Sequence, residues 1–218
     1  GWTMSRKGKR HALVKSSKVD HLWEKSKHLA PPGAWDASQQ AVFEAKKTEV
    51  ELEEKCGGVL LTVAVAAVAG RVRGGFADVY CKLAQQAEGK PVEIVALTDN
   101  KKSTTGRKRD LLVQMARGRF ISFVDDDDDV SSDYVDAILT EIRKDPDLDV
   151  VTFGCEITLD SRPPYVVHFR LGGSGQHDPN NPDGDCSPGH LSAWRTELAR
   201  KVRFPDITWG EDREWSGP

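Results

Sequence analysis

From residue 59 onward, short apolar runs take turns with stretches of helical period. VLLTVAVAA, VEIVAL, FISFV and VVTFGCEI read as strands over Val59–Ala67, Val92–Leu97, Phe120–Val124 and Val150–Ile157. Between them the spacing predicts helices near Gly75–Ala87, Gly106–Arg117 and Ser131–Lys144. The first three runs are apolar almost throughout, the pattern of strands covered on both faces. Strand and helix in strict alternation predict an α/β fold: a mostly parallel sheet flanked by helices, with right-handed crossovers.

The flanks follow other rules. GWTMSRKGKR reads as an unstructured lead, and APPGAW (30–35) as a breaker. Asp36 lies three residues before Gln39, a capping-box spacing, so a helix is expected over Ala37–Lys55, closed by Gly57 and Gly58. The chain therefore divides into a basic arm and helix (1–58) and a main domain (59–218). Past residue 157 the order breaks. SRPPYVVHFRL has room for one more strand, with an antiparallel setting open to it, and GGSGQHDPNNPDGDCSPG is a long loop of the functional or disordered kind.

Composition narrows the class. Hydrophobic residues make up 38% and charged residues 30% of 218 positions, ordinary for a soluble globular chain. The longest apolar run, Val59–Ala69, falls well short of the ~20 residues of a membrane span, so no span and a cytoplasmic location are expected. Cys56, Cys81, Cys155 and Cys186 are scattered without a CxxC pair, which points to reduced thiols and away from a zinc site. The net charge of −3 is unevenly placed: residues 1–30 carry eight Lys and Arg against Asp20 and Glu24. Such an arm is either a solvated extension or a contact for phosphates or an acidic partner.

In parallel α/β sheets, ligands bind beyond the carboxyl ends of the strands. Three polar features fall there: Arg71, the triplet Thr98-Asp99-Asn100, and the run Asp125–Asp129. Alternate residues of an extended segment face the same way, so Asp125 and Asp127 can share a hard divalent ion while Asp126 turns elsewhere. GRKRD (106–110) sets Arg107, Lys108 and Arg109 at a helix start, suited to phosphate or to a solvated basic face. Two other acidic patterns fail. Asp126-x-Asp128-x-Val130 matches a DxDx[TV] phosphatase motif, but two strands precede it where that nucleophile belongs on the first. An EF-hand loop from Asp125 has Val130 where the turn needs Gly.

Three separated segments carry a resemblance: VEIVALTDN, GRKRDLLVQMARGRFISFVDDDDDVSSDYV, and HLSAWRTELARKVRFPDITWGEDREW. Taken in this order, they resemble a GT-A-fold, family-2-like glycosyltransferase over about residues 59–215. The resemblance implies a GT-A-like (Rossmann-like) domain whose C-terminal part is short. Asp125-Asp126-Asp127 stands at the D-x-D motif, with Asp127 and Asp125 as metal ligands for Mn²⁺ or Mg²⁺. Ala66, Arg71, Asp99, Lys108, Asp125 and Asp126 would meet a UDP- or GDP-type nucleotide-sugar donor. Asp212, or Glu211 as its alternate, would be the general base, with His190 and Trp209 on the acceptor side. A base opposite the leaving group implies inversion at the anomeric carbon. The acceptor is left open, a glycan or modified DNA among the options. A non-catalytic nucleotide-sugar-binding module and a Mg²⁺-dependent nucleotidyl- or phosphotransferase are the competing expectations.

Overall fold

The computed structural model describes residues 3–4, 10–13, 58–145, 147–158, 164–173 and 185–216. The helix expected over Ala37–Lys55, Cys56 and most of the Gly/Pro-rich loop lie outside them. Among the described residues there are ten strands: β1 (Thr3–Met4), β2 (Arg10–Leu13), β3 (Leu61–Val68), β4 (Val92–Asp99), β5 (Phe120–Phe123), β6 (Val150–Thr152), β7 (Gly154–Ile157), β8 (Tyr165–Phe169), β9 (Asp185–Cys186) and β10 (Ala193–Arg195). The α-helices among the described residues are α1 (Gly75–Ala87), α2 (Thr105–Met115), α3 (Tyr134–Lys144), α4 (Thr196–Ala199) and α5 (Glu211–Ser216). The expected α/β architecture is present, and its central strands are parallel: β3 pairs in parallel with β4 on one side and β5 on the other.

Alternation along β3 explains why it sits in the middle. Leu61, Val63, Val65 and Ala67 join one core with Val79 and Leu83 of α1 and Val135, Ile138, Leu139 and Ile142 of α3. Ala64 and Ala66 point the other way, into a core with Leu112 and Val113 of α2, Phe204 and Trp215. Thus α1, leading to β4, lies on one face, and α2, crossing back to β5, lies on the opposite face. The chain leaves β3 in one direction and returns to it from the other. That reversal opens a crevice between the carboxyl ends of β3 and β5.

Several expectations change. The sheet order is β1-β2-β6-β10-β5-β3-β4, so β4 is an edge strand and is only half-buried along most of its length. Its apolar run reflects partial cover, where the sequence predicts cover on both faces. The single strand expected over Val150–Ile157 is two: β6 belongs to the large sheet, while β7 pairs with β8 in a separate sheet β7-β8-β9. The break falls at Phe153, whose carbonyl accepts the Phe169 amide and whose ring meets Tyr134 edge-on at 5.7 Å. The lead expected to be unstructured supplies β1 and the first residue of β2, and β2 runs parallel to β6. β10 is antiparallel to both its neighbours, β5 and β6. No described helix is long and apolar enough to cross a membrane. Cys81, Cys155 and Cys186 are free thiols.

At the amino ends of β3, β4 and β5 a polar clasp closes the sheet. Glu93 Oε1 accepts from Thr62 Oγ1 at 2.7 Å and from the Arg117 amide at 2.6 Å, while Oε2 accepts from Arg117 Nε at 2.7 Å. Burial pushes the Glu93 carboxyl up, but the Arg117 amide, Thr62 and the Arg117 guanidinium outweigh it and hold the group below its ordinary value of 4.5. A carboxylate whose folded pKa is depressed stabilises fully above its unfolded pKa and loses that effect as pH falls through the folded one. Glu93→Gln should therefore cost about 1–3 kcal/mol near neutral pH. In urea titrations the difference from wild type should shrink once pH drops below about 4. A difference that does not change with pH would contradict this role.

Candidate active site

The five aspartates do not share one environment. Asp126 is 4% exposed, and its two oxygens are spent on the end of β3: Oδ2 accepts the Val68 amide at 2.8 Å and Oδ1 accepts Arg71 Nη1 at 2.7 Å. The loop can pass this close because residue 75 is glycine. A Cβ there would come within 2.7 Å of the Asp126 carbonyl oxygen. Asp129 is drawn the opposite way, to Lys82 of α1 at 2.6 Å. Asp127, 56% exposed, has Arg71 Nη2 at 3.1 Å, and Arg71 itself is half-exposed at the crevice mouth. The Asp128 carboxyl is pushed up, first by partial desolvation and then by the negative charges of Asp125 and Asp127.

Asp125 faces the other wall. Its Oδ1 accepts from Arg109 Nη2 at 2.5 Å, and its Oδ2 lies 3.5 Å from His190 Nε2. Burial alone would raise the Asp125 carboxyl, but His190 and Arg109 hold it far below the usual carboxylate range. Arg109, 3% exposed, gives its other terminal nitrogen, Nη1, to Glu211. The guanidinium thus lies between a residue of the loop after β5 and the first residue of α5. Burial raises the Glu211 carboxyl, against the opposing charge of Arg109. Asp212 is the more open of the pair, about a third exposed, and His190 Nδ1 lies 2.9 Å from its Oδ2. That hydrogen bond keeps the Asp212 carboxyl below its ordinary value despite desolvation.

Local packing carries these groups to one place. His190 stands in a turn held against β5: its carbonyl accepts the Phe123 amide, Gly189 O accepts Trp194 Nε1 at 2.9 Å, and Leu191 O accepts Ser122 Oγ at 2.9 Å. Trp215 anchors α5 by stacking on Phe204 at 4.5 Å and meeting Trp194 edge-on at 5.7 Å, so the first turn of the helix is directed at Arg109. The segment before α5 lies along the start of α2. The Gly106 amide donates to Ile207 O at 3.0 Å, and Thr104 Oγ1 donates to Asp206 at 2.6 Å. Glycine is required at 106, since a Cβ would sit 1.9 Å from Pro205 O.

Among the other expected site residues, the structure draws distinctions. Lys108, 5% exposed, braces two strands internally, with Nζ 2.9 Å from Ala67 O and 3.0 Å from Asp99 Oδ1. Asp99 also accepts the Ser103 amide at 2.6 Å, and these two partners lower its carboxyl. Both residues line the crevice end of the sheet, but their polar atoms already have partners. Ala66 packs its methyl against the α2-side core. His190, expected on the acceptor side, lies between the carboxylates of Asp125 and Asp212. Trp209, expected on the acceptor side, is 89% exposed, whereas Trp194 and Trp215 belong to the core. The role of Arg109 as a link was not visible in the chain: GRKRD marks a basic helix start, and its helical spacing places Arg109 inward only once α5 is docked.

The donor set suits a hard divalent cation in part. Asp127 and Asp128 offer exposed carboxylate oxygens at the crevice, whereas Asp126 is fully committed and Asp125 is shared with Arg109. Among the described residues no three His, Cys, Asp or Glu side chains converge as a ready-made cage. Mg²⁺ is held by one or two carboxylates together with substrate phosphates, and this arrangement meets that lesser requirement.

No family model matches the chain, and no curated protein does. Among solved structures it is similar to S. aureus TarS, with 15% identity over 72% of this chain and 33% of that one, at a TM-score of 0.49. TarS 1–349 in complex with UDP-GlcNAc is 12% identical, covering 72% and 52%, at 0.47. TarS 1–349 in complex with UDP is 15% identical, covering 72% and 54%, at 0.46. The chain spans between a third and about half of the length of these structures.

The close approach at Gly106 yields a direct test. Gly106→Ala must displace the 205–207 segment or the start of α2. It should cost about 1–3 kcal/mol and lower the melting temperature by several degrees. A melting curve superimposable on wild type would show that this segment is not seated as described.

Proposed function

We propose that this crevice transfers a sugar from a nucleoside-diphosphate sugar to an acceptor hydroxyl, with residues 59–218 as the catalytic domain and β1 and β2 extending the edge of its sheet. One observation carries the reading. Two carboxylate-bearing segments more than eighty residues apart, Asp125–Asp128 and Glu211–Asp212, are cross-linked through Arg109 and His190 beside the carboxyl ends of β3 and β5. The order of the three sequence segments that resemble family-2 glycosyltransferases supports the same reading.

In this mechanism the half-exposed Arg71 and the helix start bearing Arg107 lie where the donor's diphosphate would enter. Asp127, with Asp128, would hold Mn²⁺ or Mg²⁺, and a cation there would neutralise charge developing on the departing diphosphate. Asp126 keeps the loop closed on β3. Asp212 is the general base: it is ionised, partly open to the crevice and oriented by His190, whereas Glu211 is buried and engaged by Arg109. Asp212 removes the proton from the acceptor hydroxyl as its oxygen attacks the anomeric carbon. The bond to the diphosphate oxygen breaks on the opposite side, which inverts the configuration.

Incubation with Mn²⁺ and a panel of UDP- and GDP-sugars, followed by measurement of released nucleoside diphosphate, tests the reading. The absence of both release and binding with every donor would overturn it, while binding without release would favour a non-catalytic binding module. Asp127→Asn should abolish the Mn²⁺-dependent part of UDP binding in calorimetry. Asp212→Asn should leave UDP binding intact and lower turnover by roughly 10²–10⁴-fold, the usual contribution of a general base. Undiminished transfer by Asp212→Asn would assign the base elsewhere.

A further inference from the structure

His190 presents its two ring nitrogens to different segments of the chain. Nδ1 is within hydrogen-bond distance of Asp212 Oδ2 at 2.9 Å, whereas the buried Nε2 has no hydrogen-bond partner and faces Asp125 Oδ2 across 3.5 Å, a charge contact when the ring is protonated. Neither carboxylate belongs to the turn that carries the histidine. One follows β5, the other opens α5, and the ring occupies the gap between them. The turn has little freedom, because the Phe123 amide, Trp194 Nε1 and Ser122 Oγ all bond to its carbonyls.

The consequence falls on Asp212. Glu211 is fixed by Arg109, but the Asp212 carboxylate stands at the more open side of α5, where an aspartate χ1 has several staggered wells available. A hydrogen bond from an immobile imidazole to Oδ2 selects one of them and leaves Oδ1 for another partner. Proton abstraction is sensitive to such placement: a misplacement of about 1 Å can lower a rate by 10²-fold. We propose that His190 is a positioning residue, which ties the proposed base Asp212 to Asp125 of the aspartate loop so that base and donor are held in one geometry. The role rests on the transferase reading given above, and it acts through Asp212 and Asp125, with no contact to the substrate required.

Two sets of measurements on the full chain test it. Thermal unfolding of His190→Ala, Asp212→Ala and their double variant forms one double-mutant cycle, and the same set with Asp125→Ala forms a second. Bridging predicts that each double variant shifts the melting temperature by less than the sum of its singles. Strict additivity in the Asp212 cycle would overturn the link. The second set is nucleoside diphosphate release from the UDP- and GDP-sugar panel with Mn²⁺. His190→Ala should lower kcat by roughly 10- to 100-fold with the donor KM within about twofold of wild type. His190→Asn, whose amide can still donate to Asp212, should recover part of the loss. An unchanged kcat, or a loss that appears only in donor KM, would overturn the positioning role. Absence of turnover by the wild type, with coupling in the cycles, would instead sink the transferase reading and leave the bridge as a structural tie. Turnover without coupling would sink the bridge alone.

Discussion

The ion pairs of Arg109 hold the site together. Its guanidinium is almost wholly out of water, with Asp125 on one side and Glu211 on the other. Taking a cation from water is costly, and neighbouring carboxylates offset that cost only when geometry and pairing are good. Here the pairing spans the gap between the loop after β5 and the start of α5, so the electrostatic requirement of one buried arginine fixes the relative position of two remote segments. Removing either carboxylate would leave a buried charge under-compensated, which makes the arrangement cooperative. Phe123 below the guanidinium, 5.8 Å from its ring centre, and the stacked Phe204–Trp215 pair supply the apolar floor.

The same logic divides the acidic run. Five adjacent carboxylates repel one another, and the fold relieves this by giving each a separate direction: Asp126 to the β3 amide and Arg71, Asp129 to Lys82, Asp125 to Arg109 and His190. Asp127, which shares Arg71 with Asp126, and Asp128 keep exposed carboxylates at the crevice. The reversal of chain direction about β3 sets this up, because it places helices α1 and α2 on opposite faces and leaves the loops after β3 and β5 to diverge. Gly75 and Gly106 then permit two backbone approaches, loop to α1 and 205–207 segment to α2, that any side chain would block.

Much of this was legible in the chain. Central strands and helices from β3 to α3 lie within a few residues of their predicted bounds, since apolar period is a local property that neighbours in space do not alter. Edge and break positions were not legible. The half-exposure of β4 depends on its being last in the sheet, and the division of Val150–Ile157 depends on β6 and β7 finding partners in different sheets. Likewise GRKRD announces three cations at a helix start, but the helical turn buries Lys108 and Arg109 and leaves Arg107 outside.

The sequence by itself determined the alternation of strands and helices, and with it the end of the sheet where polar residues gather. It also determined that a dense set of carboxylates lies there, because residue type and local period suffice for both. Which oxygens remain available was decided only by tertiary structure. Asp126 is spent and Asp127 is open, and Glu211 is clamped while Asp212 is aimed by His190. These outcomes rest on contacts between residues roughly twenty to a hundred positions apart, and such contacts exist only after two cores have packed on opposite faces of β3.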